Sequence, residues 1–299
     1  MAPMSYRACC LAAVLLCAPV SAVAALCPIT SNTFIMGARC LSGAAFESDE
    51  QPAHPVMLGN YLIADAEVTM TEFCMMLNQR PAWIQNAAAT DDGTANACYG
   101  VIQHTQAPHV PLVWLTTMTP VITNHAGVWQ PCAAARSNHP MVHVTWYGAA
   151  LYCNYLSERD GLAPMYDTAD WSCRWSSAAD ANAGYHLPTE AQWEYAISGA
   201  ASEAYPWGPF LLYERANVYG SNGAADDVAA WPATMPVRSY TSNAFGLYDG
   251  IGNVREWCHD WYQHDYYSTR PGLCPKGPDG PSAQYAGGTN RVVRGGGWA

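Results

Sequence analysis

Twenty-four glycines and 21 prolines spread through 299 residues interrupt every apolar pattern before it runs far, because both residues disfavour helix interiors. The chain therefore reads as turn-rich, and a helical bundle does not fit it. Aromatic usage agrees: twelve Trp and eighteen Tyr against five Phe bring N–H and O–H groups that need polar partners when buried. With hydrophobic residues at 50%, the chain has enough apolar surface for one large core in a single irregular domain.

The N-terminus carries Arg7, an apolar run from Cys9 to Ala18 and small residues around Ala22-Val23-Ala24-Ala25, the pattern of a secretory signal peptide spanning 1–25. Periplasmic or secreted localisation is the expectation. No later segment has the length needed to span a bilayer, and Leu precedes both Cys17 and Cys27 where a lipoprotein would have a small residue. Net charge is −11, with Lys276 the sole lysine, and no basic cluster is present to attract phosphates, so nucleic acid is not an expected partner. Beyond the signal lie Cys27, Cys40, Cys74, Cys98, Cys132, Cys153, Cys173, Cys258 and Cys274. This odd set leaves one thiol without a partner if the others pair in an oxidising compartment. There is no CxxC zinc or redox motif.

Thr33 to Gly37, His54 to Leu58 and Tyr61 to Ile63 have the apolar density of strands. Thr69 to Asn78 is predicted helical, capped by Thr69 or Thr71, with Phe73, Met76 and Leu77 on one buried face. Residues 79–139 read as an insertion that decorates the domain, with strands at Val110 to Leu115 and Thr119 to Thr123. A second helix, capped by Thr145, buries Ala149, Tyr152, Cys153 and Leu156 and ends at Gly161. The third begins with the capping box Thr189 to Gln192 and stops at Gly199. Beyond Gly208 the chain is expected to be mainly loops and short strands.

Seven segments in order resemble the sulfatase-modifying-factor family, which includes the formylglycine-generating enzymes. They are Phe34 to Gly37, Ala66 to Thr69, His139 to Trp146, His186 to Ala196, Tyr205 to Gly208, Gly246 to Trp257 and Arg291 to Trp298. The resemblance covers nearly all of 26–299 and implies an α+β fold, irregular and loop-rich, related to the C-type lectins. Family oxidases convert a sulfatase cysteine to formylglycine with a copper-binding cysteine pair placed after the Arg-Gly-Gly-aromatic turn. Here only Ala299 follows Trp298, so no catalytic residue carries over, and copper is expected only in a longer chain. The family also pairs the position of Cys153 with a cysteine near its C-terminus, which marks Cys153 as the unpaired, buried thiol. Ile197 stands at the position of a second family disulfide.

By the same resemblance, Asp249, Gly252, Val254 and Glu256 match a calcium site built from side-chain and backbone oxygens. Calcium takes several hard oxygen ligands, and a glycine-containing turn between two acids lets carbonyls point inward. Without calcium, Asp249 would cap a turn, Asn253 would bond the backbone and Glu256 would pair with an arginine. Asn217 and Val218, with Asp226 or Asp227, match a second site, against which stands the ordinary solvation of loop acids. His259 to Asp265 offers transition-metal ligands in name, but Trp261 and Tyr262 are expected in the core with the histidines on a loop surface. No GxSxG, P-loop, HExxH or GxGxxG fingerprint appears.

These features point first to an exported, non-catalytic module that binds a protein or glycan through its loop-rich face. Two alternatives stand beside it: a fragment of a copper-dependent formylglycine-generating oxidase, and a ligand-binding protein of the kind diversified by retroelements.

Overall fold

The computed structural model describes residues 24–30, 32–38, 48–87, 100–106, 109–115, 121–175, 183–201, 203–221, 233–269, 271–281 and 290–298. Most of the signal-like segment, Cys40, Cys98, Asp226 and Asp227 lie outside them. Within them, small antiparallel sheets and three helices are joined by long loops, an α+β fold with little regular structure.

The first strands are β1 (Leu26–Ile29), β2 (Asn32–Met36), β3 (His54–Leu58) and β4 (Tyr61–Ala64), with β1 paired to β4 and β2 to β3. In β3, His54, Val56 and Leu58 are buried while Pro55 and Met57 face out, the period-two signature of a half-covered strand. Helix α1 (Met70–Gln79) starts at Thr69, whose hydroxyl accepts from the Glu72 amide while the Glu72 carboxylate accepts from the Thr69 amide. That reciprocal capping satisfies two backbone donors that the first turn leaves open.

Residues 79–139 do more than decorate the domain. They supply β5 (Ile84–Ala87), β6 (Gly100–His104) and β7 (Pro111–Leu115) in one sheet, then the hairpin β8 (Ile122–His125) and β9 (Val128–Pro131). Ile102, Leu112, Val113 and Ile122 are fully buried in the same cluster as Phe73, Met76 and Leu77 of α1. Asn78 fixes α1 to β9 by donating to the Trp129 carbonyl at 2.8 Å and accepting the Trp129 amide at 2.7 Å.

Helix α2 (Trp146–Arg159) is capped by Thr145 and buries Tyr152 and Cys153 as expected, but Ala149 and Leu156 are only partly covered while Ala150 and Leu151 are fully buried. The single-stripe reading fails because α2 is covered on more than one side, by β7 and by the loop around Tyr166. Helix α3 (Glu190–Ser198) carries the expected Thr189–Gln192 capping box and ends on Gly199 in the left-handed conformation, φ 62°. It packs on β10 (Glu256–Trp261) and its antiparallel partner β11 (Arg291–Arg294).

Two apolar clusters result, one around α1, α2 and the 100–130 strands, the other around α3, β2, β3, β10 and β11. The segment 247–258 crosses between them: Leu247 and Cys258 are buried in the second, Val254 in the first. No helix among the described residues is long and apolar enough to cross a membrane.

Candidate functional site

The turn between Leu247 and Glu256 is held by polar contacts that converge on Asn253. Its Oδ1 accepts from the Asn217 side chain at 3.1 Å and the Met235 amide at 2.9 Å, while its Nδ2 donates to Glu67 Oε2 at 2.6 Å. The Asn253 amide donates to the Asn217 carbonyl at 2.7 Å, and Gly252 forms an isolated parallel bridge with Asn217. The two sets of residues matched to separate calcium sites, 249–256 and 217–218, are therefore one neighbourhood. Gly252 has φ +82°, and a Cβ there would lie 2.8 Å from Val218 Cγ1 and 2.9 Å from the Asn217 carbonyl carbon. The close approach of the two segments requires glycine.

Three partly buried acids surround this turn. Asp249 accepts the Arg238 amide, and its carboxyl is raised above the ordinary range chiefly by burial. Glu256 accepts the Trp193 indole N–H at 3.1 Å, and burial, reinforced by Asp249, pushes its carboxyl up to about 7. An arginine partner for Glu256 was the alternative expectation; Trp193 fills that place. Glu67, not singled out by sequence, accepts the Val254 amide as well as Asn253 and is raised by burial and then by Glu256 and Asp249. Val254 turns its side chain into the core, and the Val218 amide donates to Ser221.

The fit of a cation rests on oxygen chemistry. Asn217 is almost fully buried, and its Oδ1 has no hydrogen-bond partner; an orphaned buried acceptor of this kind costs free energy unless something donates to it or coordinates it. After burial, Glu256 and Asp249 raise Glu67, and Asp249 raises Glu256, the electrostatic situation a bound cation relieves. Among the described residues no three His, Cys, Asp or Glu side chains form a metal-holding group. A hard cation would accordingly rely on Asp249, Glu256, the Asn217 side chain and backbone carbonyls of the turn.

The neighbouring strands β10 and β11 border a cleft of about 850 Å³ lined by Trp114, Trp146, Trp257, Trp261, Tyr262 and Arg291 among others. Trp146 and Trp257 are fixed by donating to the carbonyls of Cys258 and Val144, both at 3.0 Å. Arg291 is stacked between Trp146 and Trp261, 3.7 and 3.5 Å from their ring centroids, and donates to the His259 carbonyl at 2.6 Å. Burial lowers its guanidinium to about 10. Two carboxyls lie at the same cleft: burial raises Glu190 to about 7 and Asp260 to about 8, while Arg294 holds Glu190 at 3.6 Å and Glu194 at 3.0 Å. Trp114 stands half-exposed at the rim.

Two expectations for 259–265 need correction. His259 is buried, its ring stacked on Tyr166 and edge-on to Trp175, and burial lowers its imidazole to about 3. Trp261 is instead a partly exposed wall of the cleft, and Tyr262 lines it too while packing against the second apolar cluster. Strand β10 is irregular, with a register shift between Trp257 and Trp261, so simple alternation does not assign its faces.

A loop-rich α+β domain in which a glycine turn and an aromatic cleft share one small sheet defines the class of protein. Residues 19–299 match the sulfatase-modifying factor enzyme 1-like domain, and the chain belongs to that family. It is 30% identical over 275 residues to the serine/threonine-protein kinase Pkn1 of Chlamydia caviae, covering 90% of this chain and 33% of that protein. The chain thus spans about a third of that relative's length. It is 30% identical to the formylglycine-generating enzyme of Streptomyces coelicolor, covering 85% of this chain and 73% of the enzyme. The solved structure of PvdO from Pseudomonas aeruginosa has the same fold, with a TM-score of 0.58, 20% identity, and coverage of 91% and 82% of the two chains.

Proposed function

We propose that this sulfatase-modifying-factor-like domain is a binding module whose aromatic cleft takes a protein or glycan ligand, with calcium stabilising the adjoining turn. The cleft carries this reading. Fixed indole and phenol rings beside partly buried carboxyls offer flat apolar faces for stacking and acceptors for hydroxyl or amide donors, the mix of apolar walls and few polar groups typical of ligand sites. Because β10 places Glu256 at the turn and Trp257 at the cleft, a cation at the turn would steady the cleft wall.

Intrinsic tryptophan fluorescence tests the cleft when the domain is titrated with a panel of oligosaccharides and of extended peptides. A saturable change in one arm names the ligand class; no change in either arm overturns the proposal. For calcium, chelation should lower the melting temperature and Glu256→Ala should abolish the response, since a ligand of the native state stabilises by mass action. An unchanged melting temperature on adding EDTA removes calcium from the account. Export to the periplasm or medium is part of the same proposal, supported by Arg7 and the apolar run that follows, and cell fractionation decides it.

The oxidase reading draws on the Streptomyces relative. It needs readily ionised thiols to hold copper. None of Cys27, Cys74, Cys132, Cys153, Cys173, Cys258 and Cys274 stands after the Arg-Gly-Gly-aromatic turn, where the resemblance places the copper-binding pair. Conversion of a cysteine-containing sulfatase peptide by purified protein with copper would select the oxidase over the binding module.

A further inference from the structure

Cys153 and Cys173 meet around one residue, Tyr166. On α2, Asn154 clamps the backbone of Tyr166 from both sides, donating to its carbonyl at 2.7 Å and accepting its amide at 2.9 Å. Tyr166 also pairs with Cys173 in an antiparallel bridge, closed on either side by the Asp167 amide donating to the Ser172 carbonyl at 2.9 Å and by the Arg174 amide donating to the Met165 carbonyl at 2.7 Å. The residue beside Asn154 and the residue opposite Tyr166 are thus both cysteines, and both pack in the same apolar cluster. Burial first, and then each of the two thiols, raises the phenol of Tyr166, and burial followed by Cys173 raises Cys153, in keeping with two neighbouring thiols that the structure holds unbonded.

We propose that Cys153 and Cys173 form a disulfide when the chain folds under oxidising conditions, stapling α2 to the 165–174 hairpin. The reaction converts two thiols to one S–S bond. Two S–H bonds break, and two electrons and two protons pass to a disulfide oxidant, such as oxidised glutathione, which leaves as two thiols after a mixed-disulfide step. Burial sets the timing. A thiol with a pKa of about 12 is ionised in roughly one molecule in 10⁵ at neutral pH, so exchange in the folded core is slow and the bond closes during folding. The resulting bridge makes Cys153 a structural cysteine with a partner inside the chain, and it does not depend on what the aromatic cleft binds.

The test is to refold the denatured, reduced protein in a glutathione redox buffer. Remaining thiols are alkylated in denaturant, and unreduced digests are mapped by mass spectrometry. The expected product joins the peptides of Cys153 and Cys173, leaves the equally buried Cys258 alkylated, and raises the melting temperature by roughly 5–10 °C over the reduced form, from closing a loop of about 20 residues. Cys173→Ala, at the more exposed of the two sites, should fold with an unchanged far-UV spectrum and yield Cys153 as an alkylated thiol. Recovery of both cysteines alkylated from the oxidised wild type, or of Cys153 joined to any other cysteine, overturns the proposal.

Discussion

Replacing Gly252 with alanine tests whether the turn is held by the close approach of 217–218. Two costs add. An L-residue at φ +82° sits in the left-handed region at about 1–2 kcal/mol. The new Cβ also meets Val218 Cγ1 at 2.8 Å and the Asn217 carbonyl carbon at 2.9 Å, one of them backbone that can yield only by moving its segment away. That movement weakens the 2.7 Å bond from the Asn253 amide to Asn217 and the 3.1 Å bond between their side chains, at about 1 kcal/mol each. The expected loss is ~3–4 kcal/mol. Gly161→Ala is the reference, because Gly161 has φ +73° with nothing within 4 Å of its would-be Cβ, leaving only the same backbone cost of about 1–2 kcal/mol. Reduced entropy of the unfolded chain helps both variants alike and cancels. Urea denaturation with linear extrapolation measures the difference. If Gly252→Ala loses no more stability than Gly161→Ala, the packing of the turn against 217–218 is not what holds it.

Asn154→Ala should cost ~2–4 kcal/mol in the same assay, since it strands the buried amide and carbonyl of Tyr166; a loss below about 1 kcal/mol would show that water or a shifted side chain replaces the clamp. The carboxyl of Glu256, at about 7 folded against an ordinary 4.5, binds more protons in the native than in the unfolded chain between those values. Its contribution to stability is therefore present below pH 4.5 and lost as pH rises to about 7. Between pH 5 and 8 the wild type without added metal should lose more stability than Glu256→Gln, and parallel pH profiles would remove Glu256 as the source. The neutral His259, held at about 3 against an ordinary 6.5, acts with the opposite sign, its stabilisation falling as pH drops below 6.5.

What the sequence made legible was local. The caps of α1 and α3 follow from side chains three residues apart, and the glycine turn at 246–252 from a short run of residues. The strands β5 and β6 escaped notice because Gln85, Asn86 and Gln103 break their apolar pattern, and β5 finds its partner β6 only across residues 88–99. Glu67 was visible only as part of a motif. Its role depends on Asn253 and Val254, 186 and 187 residues away, and no local pattern encodes such a contact. The cleft was invisible for the same reason, as it joins Trp114, Trp146, Trp261 and Arg291 from separate elements. His259 was misplaced because it was read as part of a surface loop, whereas it belongs to β10, which buries Cys258, His259 and Asp260 in succession.

The most direct measurement of the central claim is isothermal titration of wild type and Trp114→Ala with the ligand that emerges from the fluorescence panel. Trp114 is 52% exposed at the cleft rim, so its removal should leave the fold intact. The account predicts an unchanged melting temperature and at least about a tenfold weaker Kd, the loss of one stacking ring worth ~1.4 kcal/mol. Equal affinity of the two proteins would contradict it and place the ligand elsewhere on the surface.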